Sequence, residues 1–368
     1  MRITSDFENQ VLISQAKRKT LLCNFLESAS QEEKIEFTES FLKLHSLLNE
    51  YLVSSNRFSI ILDTNVIQDI LSSDTNRLRE IRYIATSSIL YFLEDYAGAT
   101  ISLRITPAVL YELNNQKPIS NTSQYNRAIS IVEEAAIKLG IATNTLGFRN
   151  YKELKNLTKL LDKDSQSIKK AVEQLRSQSW TMAFNKDDGL ISIPMAVAES
   201  LIPEVKLYYL NSFYVKWALM NFVEKRMFEQ NKKQPKARNM MSKDKDGISK
   251  LFKIKSKGDL MGLADIELLS MADLIPQNSN NSIAITSAIT YDKDLLKTLC
   301  RRLGSIHNGG KFESGKDSPE DAALLFVYQM KKSQLRSRFT EDRHEFCRDA
   351  IKKFLNENID PYFEEPET

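Results

Sequence analysis

The sequence predicts a mixed α/β fold built on a parallel sheet, and three short runs carry that prediction. Phe58-Ser59-Ile60-Ile61-Leu62, Ile101-Ser102-Leu103-Arg104-Ile105 and Ser282-Ile283-Ala284-Ile285 are apolar and rich in β-branched residues. Runs of this length and composition read as buried strands of a parallel sheet. The longer segments around them carry helical periodicity instead.

In chain order, residues 5–55 read as two amphipathic helices divided near Ser28-Ala29-Ser30. Phe37, Phe41, Leu44 and Leu48, with Leu47 beside them, form an apolar face on the second. That hairpin is expected to pack on the core; assembly with another chain is the other use of such a face. The first strand run then ends at Asp63-Thr64-Asn65. Ligands of open α/β sheets bind outside the carboxyl ends of the strands, so Asp63 stands where a site would form. The same residue also suits the N-cap of the following helix. Thr64 and Asn65 could position a phosphate or a water, or simply build the capping turn. After the second run, Thr106-Pro107 supplies an N-cap and a first-turn proline, and the helix it opens carries Glu112.

Residues 120–257 hold few strand signals. Loop composition from Pro118 to Ser123 gives way to helical periodicity at Asn126–Leu139, Asp164–Ser177 and Tyr208–Glu229. The last of these is rich in aromatics, which at helical spacing read as core, with stacking on the bases of a single strand as the alternative. From Lys225 to Lys257, 12 basic residues meet 3 acidic ones, a local excess of +9 against +3 for the whole chain. Lys232, Lys233, Lys236 and Arg238 belong to this arm, which either holds a phosphate backbone or remains a solvated loop. Next, Gly262-Leu263-Ala264-Asp265 opens a helix that continues to Ala272, and the third strand run leads into Thr290-Tyr291-Asp292-Lys293-Asp294. Thr286-Ser287 is another place for that strand to end, in which case Asp294 replaces Asp292. Helices expected near 318–330 and over Thr340–Asn356 precede an acidic end, Glu364 to Thr368, which either frays or competes for the basic arm.

Asp63, Glu112, Asp265 and Asp292 are hard oxygen donors of the kind that suits Mg²⁺ or Mn²⁺. Carboxylates crowded into one crevice repel unless a cation neutralises them. With a cation bound, such a set can hydrolyse a phosphodiester without a catalytic His, because the metal lowers the pKa of its water and stabilises the transition state.

The order of these motifs resembles the PIN-domain nucleases. That family has a strand ending in Asp-Thr-Asn or similar, a Glu on the helix after the second strand, a helix of Asp-x-x-Leu/Ile-x-x-x-Ala type, and a closing Thr-x-Asp. The matches are Asp63-Thr64-Asn65, Glu112, Asp265 through Ala272, and Thr290-Tyr291-Asp292, within residues 58–119 and 258–305. The resemblance implies a Rossmann-like, three-layer α/β/α core. It implies metal ligation by Asp63, Glu112, Asp265 and Asp292 or Asp294, and hydrolysis of RNA to 5′-phosphate and 3′-hydroxyl ends in a toxin-like or RNA-processing role. Asn65 and the basic arm would contact the nucleic acid, and an inhibitor protein or a second copy of the chain is a further possible partner. Single-stranded DNA is the alternative substrate, and a scaffold that binds RNA or protein without cleaving is the alternative function. A haloacid-dehalogenase-like phosphatase also begins with an Asp after its first strand, but needs a second Asp where Asn65 stands.

Glu112 and Asp265 lie 153 positions apart, more than a compact member of that family needs. The expected organisation is therefore a helical extension at 1–56, core at 57–119 and 258–310, a helical insertion with the basic arm at 120–257, and a helical extension at 311–368. With 368 residues and 42% hydrophobic content, the chain can bury more than one compact core. Cys23, Cys300 and Cys347 are isolated and odd in number, against a disulfide framework. His45, His307 and His344 show no zinc spacing. No apolar stretch reaches membrane-spanning length, and Asp6 and Glu8 stand where a secretory segment would be apolar, so the expected location is the cytoplasm with no membrane partner.

Overall fold

Four parallel strands form the centre of the structure, a computed structural model that describes residues 5–178, 202–212 and part of 213–223, 253–254, 260–272, 285–293 and part of 294–299, and 341–363. The strands are β1 (Arg57–Leu62), β2 (Thr100–Ile105), β3 (Thr143–Thr145) and, after a separate antiparallel pair of β4 (Lys253–Ile254) and β5 (Leu260–Met261), β6 (Ile285–Ile289). Their order in the sheet is β3-β2-β1-β6. Ile60 lies opposite Leu103 on one side and Ser287 on the other. The chain builds outward from β1 to β3 and returns on the far side of β1, so the crevice at the carboxyl ends of β1 and β6 is the switch point of the sheet.

Ten described helices accompany the strands: α1 (Ser5–Ala16), α2 (Arg18–Ser28), α3 (Gln31–Ser54), α4 (Thr64–Leu71), α5 (Arg77–Tyr91), α6 (Pro107–Leu113), α7 (Thr122–Leu139), α8 (Tyr151–Ser177), α9 (Leu263–Met271) and α10 (Glu341–Asn358). Residues 5–55 form three helices where two were expected, because the first breaks at Lys17. Ser30 starts α3 with a capping box: its hydroxyl accepts from Glu33 N and its own N–H donates to Glu33. The apolar face of α3 packs on the core, as expected. Phe37, Phe41, Leu44, Leu47 and Leu48 are all buried, each contributing about 1.5–3 kcal/mol. The Phe41 ring stacks on Phe354 of α10 with centroids 5.0 Å apart.

The N-terminal helices are also tied to the end of α7. Arg18, fully buried, donates through Nε to Leu139 O at 2.8 Å and through Nη2 to Gly140 O at 2.9 Å, and pairs with Glu94 at 2.5 Å. A guanidinium is well placed there, since the last carbonyls of a helix carry its negative dipole end. Gly140 has φ +68°, and a Cβ on it would meet Gln15 N of α1 at 2.3 Å, so only glycine lets the two helices approach.

Several elements differ from expectation. β6 starts at Ile285 and ends at Ile289, so Thr286 and Ser287 lie inside the strand, paired with Ser59 and Ile60. β3 comes from the segment expected to be helical; it pairs with β2 although Thr-Asn-Thr has no apolar run. α8 begins at Tyr151, thirteen residues before the expected start. Tyr208–Leu210, expected in a helix, bend instead, because their three N–H groups go to the Asp164 carboxylate at 2.7, 2.9 and 2.7 Å. Lys232, Lys233, Lys236, Arg238, Asp294, the helix expected near 318–330 and the acidic end all lie outside the described residues. Among the described residues, no helix is long and apolar enough to cross a membrane.

Candidate active site

The site is assembled from the ends of β1 and β6, the starts of α4 and α9, and the last turn of α6. Asp63 continues the ladder, its N–H donating to Ile289 O at 3.0 Å, and its side chain is buried. Thr290 Oγ1 donates to Asp63 Oδ2 at 2.8 Å. Asn65 N approaches Asp63 Oδ1 at 3.3 Å, so Asp63 is also the N-cap of α4.

Thr64 joins the second carboxyl to the first. Its Oγ1 lies 2.7 Å from Glu112 Oε2 and 3.2 Å from Asp63 Oδ1. One hydroxyl proton cannot fully serve both, so the two carboxyls meet around a single donor. Glu112 also accepts from Ala264 N at 3.2 Å, which caps the first turn of α9. That helix begins after Gly262 at φ +101°, a backbone conformation that suits glycine. Burial raises the pKa of both carboxyls. For Glu112 the Asp63 charge adds to the rise, and the hydrogen bond from Thr64 opposes it.

The other expected ligands flank this pair. Asp265 is half-buried on the first turn of α9, beside Ala264. Asp292 N donates to Thr290 Oγ1 at 3.0 Å, so one hydroxyl ties Asp292 to Asp63. The Asp292 carboxylate accepts from Leu295 N at 3.0 Å and caps the turn that follows. Among the described residues, no three acidic, His or Cys side chains lie close enough together to hold a metal ion. The pair that does meet, Asp63 and Glu112, suits Mg²⁺, which keeps several waters and takes one or two carboxylates from a protein. Asn65 is exposed beside them, its side-chain amide 3.5 Å from Asp63 Oδ2.

Three residues that sequence reasoning passed over sit behind the site. Glu267 is fully buried on α9 and accepts from Ala108 N at 3.1 and 3.2 Å and from Tyr209 O–H at 2.5 Å. Burial pushes its carboxyl up to about 7, with the Glu112 charge adding to the rise. Asp164, equally buried, holds the bend that presents Tyr209. A signal for Glu267 was present: Leu263 to Ala272 is apolar almost all round, and such a helix is buried, so an acid within it must find donors.

Comparison with protein-family models, with curated proteins and with solved structures finds no match.

Proposed function

We propose that the chain is a metal-dependent nuclease of PIN type that hydrolyses RNA in the cytoplasm. The observation that carries this reading is the meeting of Asp63 and Glu112 around the Thr64 hydroxyl at the switch point of a parallel sheet. Two adjacent carboxyls whose pKa values burial raises disfavour both being charged, and a bound cation relieves that.

Asp63 and Glu112 would hold Mg²⁺ or Mn²⁺, with Asp265 and Asp292 as the other acidic groups around it. When bound, the cation supplies Lewis acidity at the scissile phosphate and lowers the pKa of the attacking water. Thr290 fixes the rotamer of Asp63, and Thr64 holds Asp63 and Glu112 at one spacing. Asn65, exposed at the mouth, can turn its amide to a phosphate oxygen. Lys232, Lys233, Lys236 and Arg238 would draw in the backbone by charge.

The test is cleavage of mixed RNA and single-stranded DNA pools by the purified chain with Mg²⁺, with Mn²⁺ and with chelator. The expected result is cation-dependent cutting of RNA that leaves 5′-phosphate ends, lost in Asp63→Asn. Cutting that survives chelation, or that Asp63→Asn retains, rejects the reading. A second reading, a scaffold that binds nucleic acid without cutting it, is favoured by one observation: Asp63, Glu112 and Asp292 each cap a helical turn. RNA binding without cutting under either cation selects it.

A further inference from the structure

We propose that Tyr209 and Glu267 are a positioning pair through which α8 and residues 202–210 set the geometry of the Asp63–Glu112 site. The proposal rests on the nuclease reading for its catalytic half and on geometry alone for the rest.

The geometry is a reciprocal clamp. Glu267 of α9 accepts the N–H of Ala108 in the first turn of α6, and Glu112 of α6 accepts the N–H of Ala264 in the first turn of α9. First-turn amides have no partner within their own helix. Here each helix supplies the carboxyl that the other's start lacks, so neither can slide without breaking a bond that holds the other. Because Glu112 is both a clamp member and a site carboxyl, its place beside Thr64 depends on Glu267 staying where it is.

Tyr209 holds Glu267 from the far side. Its O–H is the second donor to that carboxyl after Ala108 N, at 2.5 Å. Tyr209 is itself held by the backbone bonds of 208–210 to Asp164 of α8. A second tie runs from Tyr111 O–H of α6 to Asp162 of α8 at 3.0 Å. Residues of α8 and 208–210 thus brace α6 and α9, two of the helices that deliver site residues. Stability does not call for this arrangement, since replacing buried polar pairs by apolar groups of like shape is often neutral or stabilising. The bonds fix direction and distance, which apolar packing does less well.

The test compares Tyr209→Phe and Glu267→Gln with Tyr151→Phe, which removes a hydroxyl bonded to Ser120 O and not to any group of the brace or the site. Two quantities are read: RNA cleavage kinetics with Mg²⁺, and amide hydrogen exchange in peptides covering α6, α9 and the remote α2. The expected result for Tyr209→Phe is kcat lower by about 10-fold or more with KM within about twofold. Exchange should rise at the starts of α6 and α9 and stay level in α2. Glu267→Gln, which keeps an acceptor for Ala108 N, should lose less than Glu267→Ala. Tyr151→Phe should match wild type. Unchanged exchange at α6 and α9 in Tyr209→Phe overturns the brace, and raised exchange with unchanged kcat overturns its positioning role. A wild-type chain that cuts nothing overturns the nuclease reading alone, and the exchange arm then decides the brace by itself.

Discussion

Two buried aspartates serve opposite ends in this molecule. Asp164 receives three backbone N–H groups in a row, from Tyr208, Tyr209 and Leu210. Rigid donors fill its acceptor sites, and the residue acts as a structural pin. Asp63 has one strong donor, Thr290, takes a longer bond from Asn65 N, and shares the Thr64 hydroxyl with Glu112. Burial raises its pKa, and an acid sits next to it. The difference teaches how to tell a carboxyl that builds the fold from one kept for chemistry. The first is saturated by the main chain. The second is buried, crowded by another acid, and held mainly by hydroxyls, with one longer bond from the main chain.

The sharpest way to break this contrast is to remove each carboxyl. Asp164→Ala leaves the N–H groups of Tyr208, Tyr209 and Leu210 without their partner, the last of them buried, and should cost about 2–4 kcal/mol, read by denaturant unfolding. Asp63→Ala should cost less, about 1 kcal/mol, because relief of its repulsion with Glu112 offsets part of the lost cap on α4. Equal losses for the two would erase the distinction.

His45 extends the comparison to a half-buried group whose Nε2 has no hydrogen-bond partner. Its ring meets Phe92 edge-on at 5.4 Å, and burial pushes its pKa down to about 4 from 6.5. Between those values the unfolded chain takes up a proton that the folded chain refuses. Stability is therefore full above pH 6.5 and falls as pH drops towards 4, by up to about 3 kcal/mol. His45→Leu should flatten that part of the pH–stability curve, measured by denaturant midpoints across pH 4–7. An unchanged slope would mean that other groups carry the acid sensitivity.

The smallest expected effect concerns substrate binding. Neutralising Lys232, Lys233, Lys236 and Arg238 together should weaken RNA binding and flatten log K against log salt by ~0.7 per lost phosphate contact, measured without metal. Cleavage of saturating RNA should persist, because the arm supplies none of the site carboxyls. An unchanged salt slope would remove the arm from the interface.

Much of the frame was legible in the sequence because the signals were local. β1 and β2 are runs of Ile, Leu and Phe, and their following caps, Asp63 and Thr106-Pro107, announce the helices. The link between Thr290 and Asp63 was implied only by motif order, yet the structure forms it because β6 pairs in register with β1. β3 was missed because Thr143–Thr145 gains its strand geometry from β2, not from its own composition. Asp164, Tyr209 and Glu267 were missed for a related reason. Their roles depend on partners 45 to 159 positions away, and no local pattern marks a carboxyl that will meet such a donor. Of the four carboxyls expected together, Asp63 and Glu112 share the Thr64 hydroxyl, and Asp265 and Asp292 stand on neighbouring turns.

The most direct test of the contrast is the Mg²⁺ dependence of the melting temperature in wild type, Asp63→Asn and Asp164→Asn. A ligand that binds only the folded state at ten times its Kd adds about 1.4 kcal/mol, a rise of a few degrees. The account predicts that rise in wild type and its loss in Asp63→Asn. Asp164→Asn should melt lower than wild type and still show the full increment. Equal Mg²⁺ increments in wild type and Asp63→Asn would contradict it.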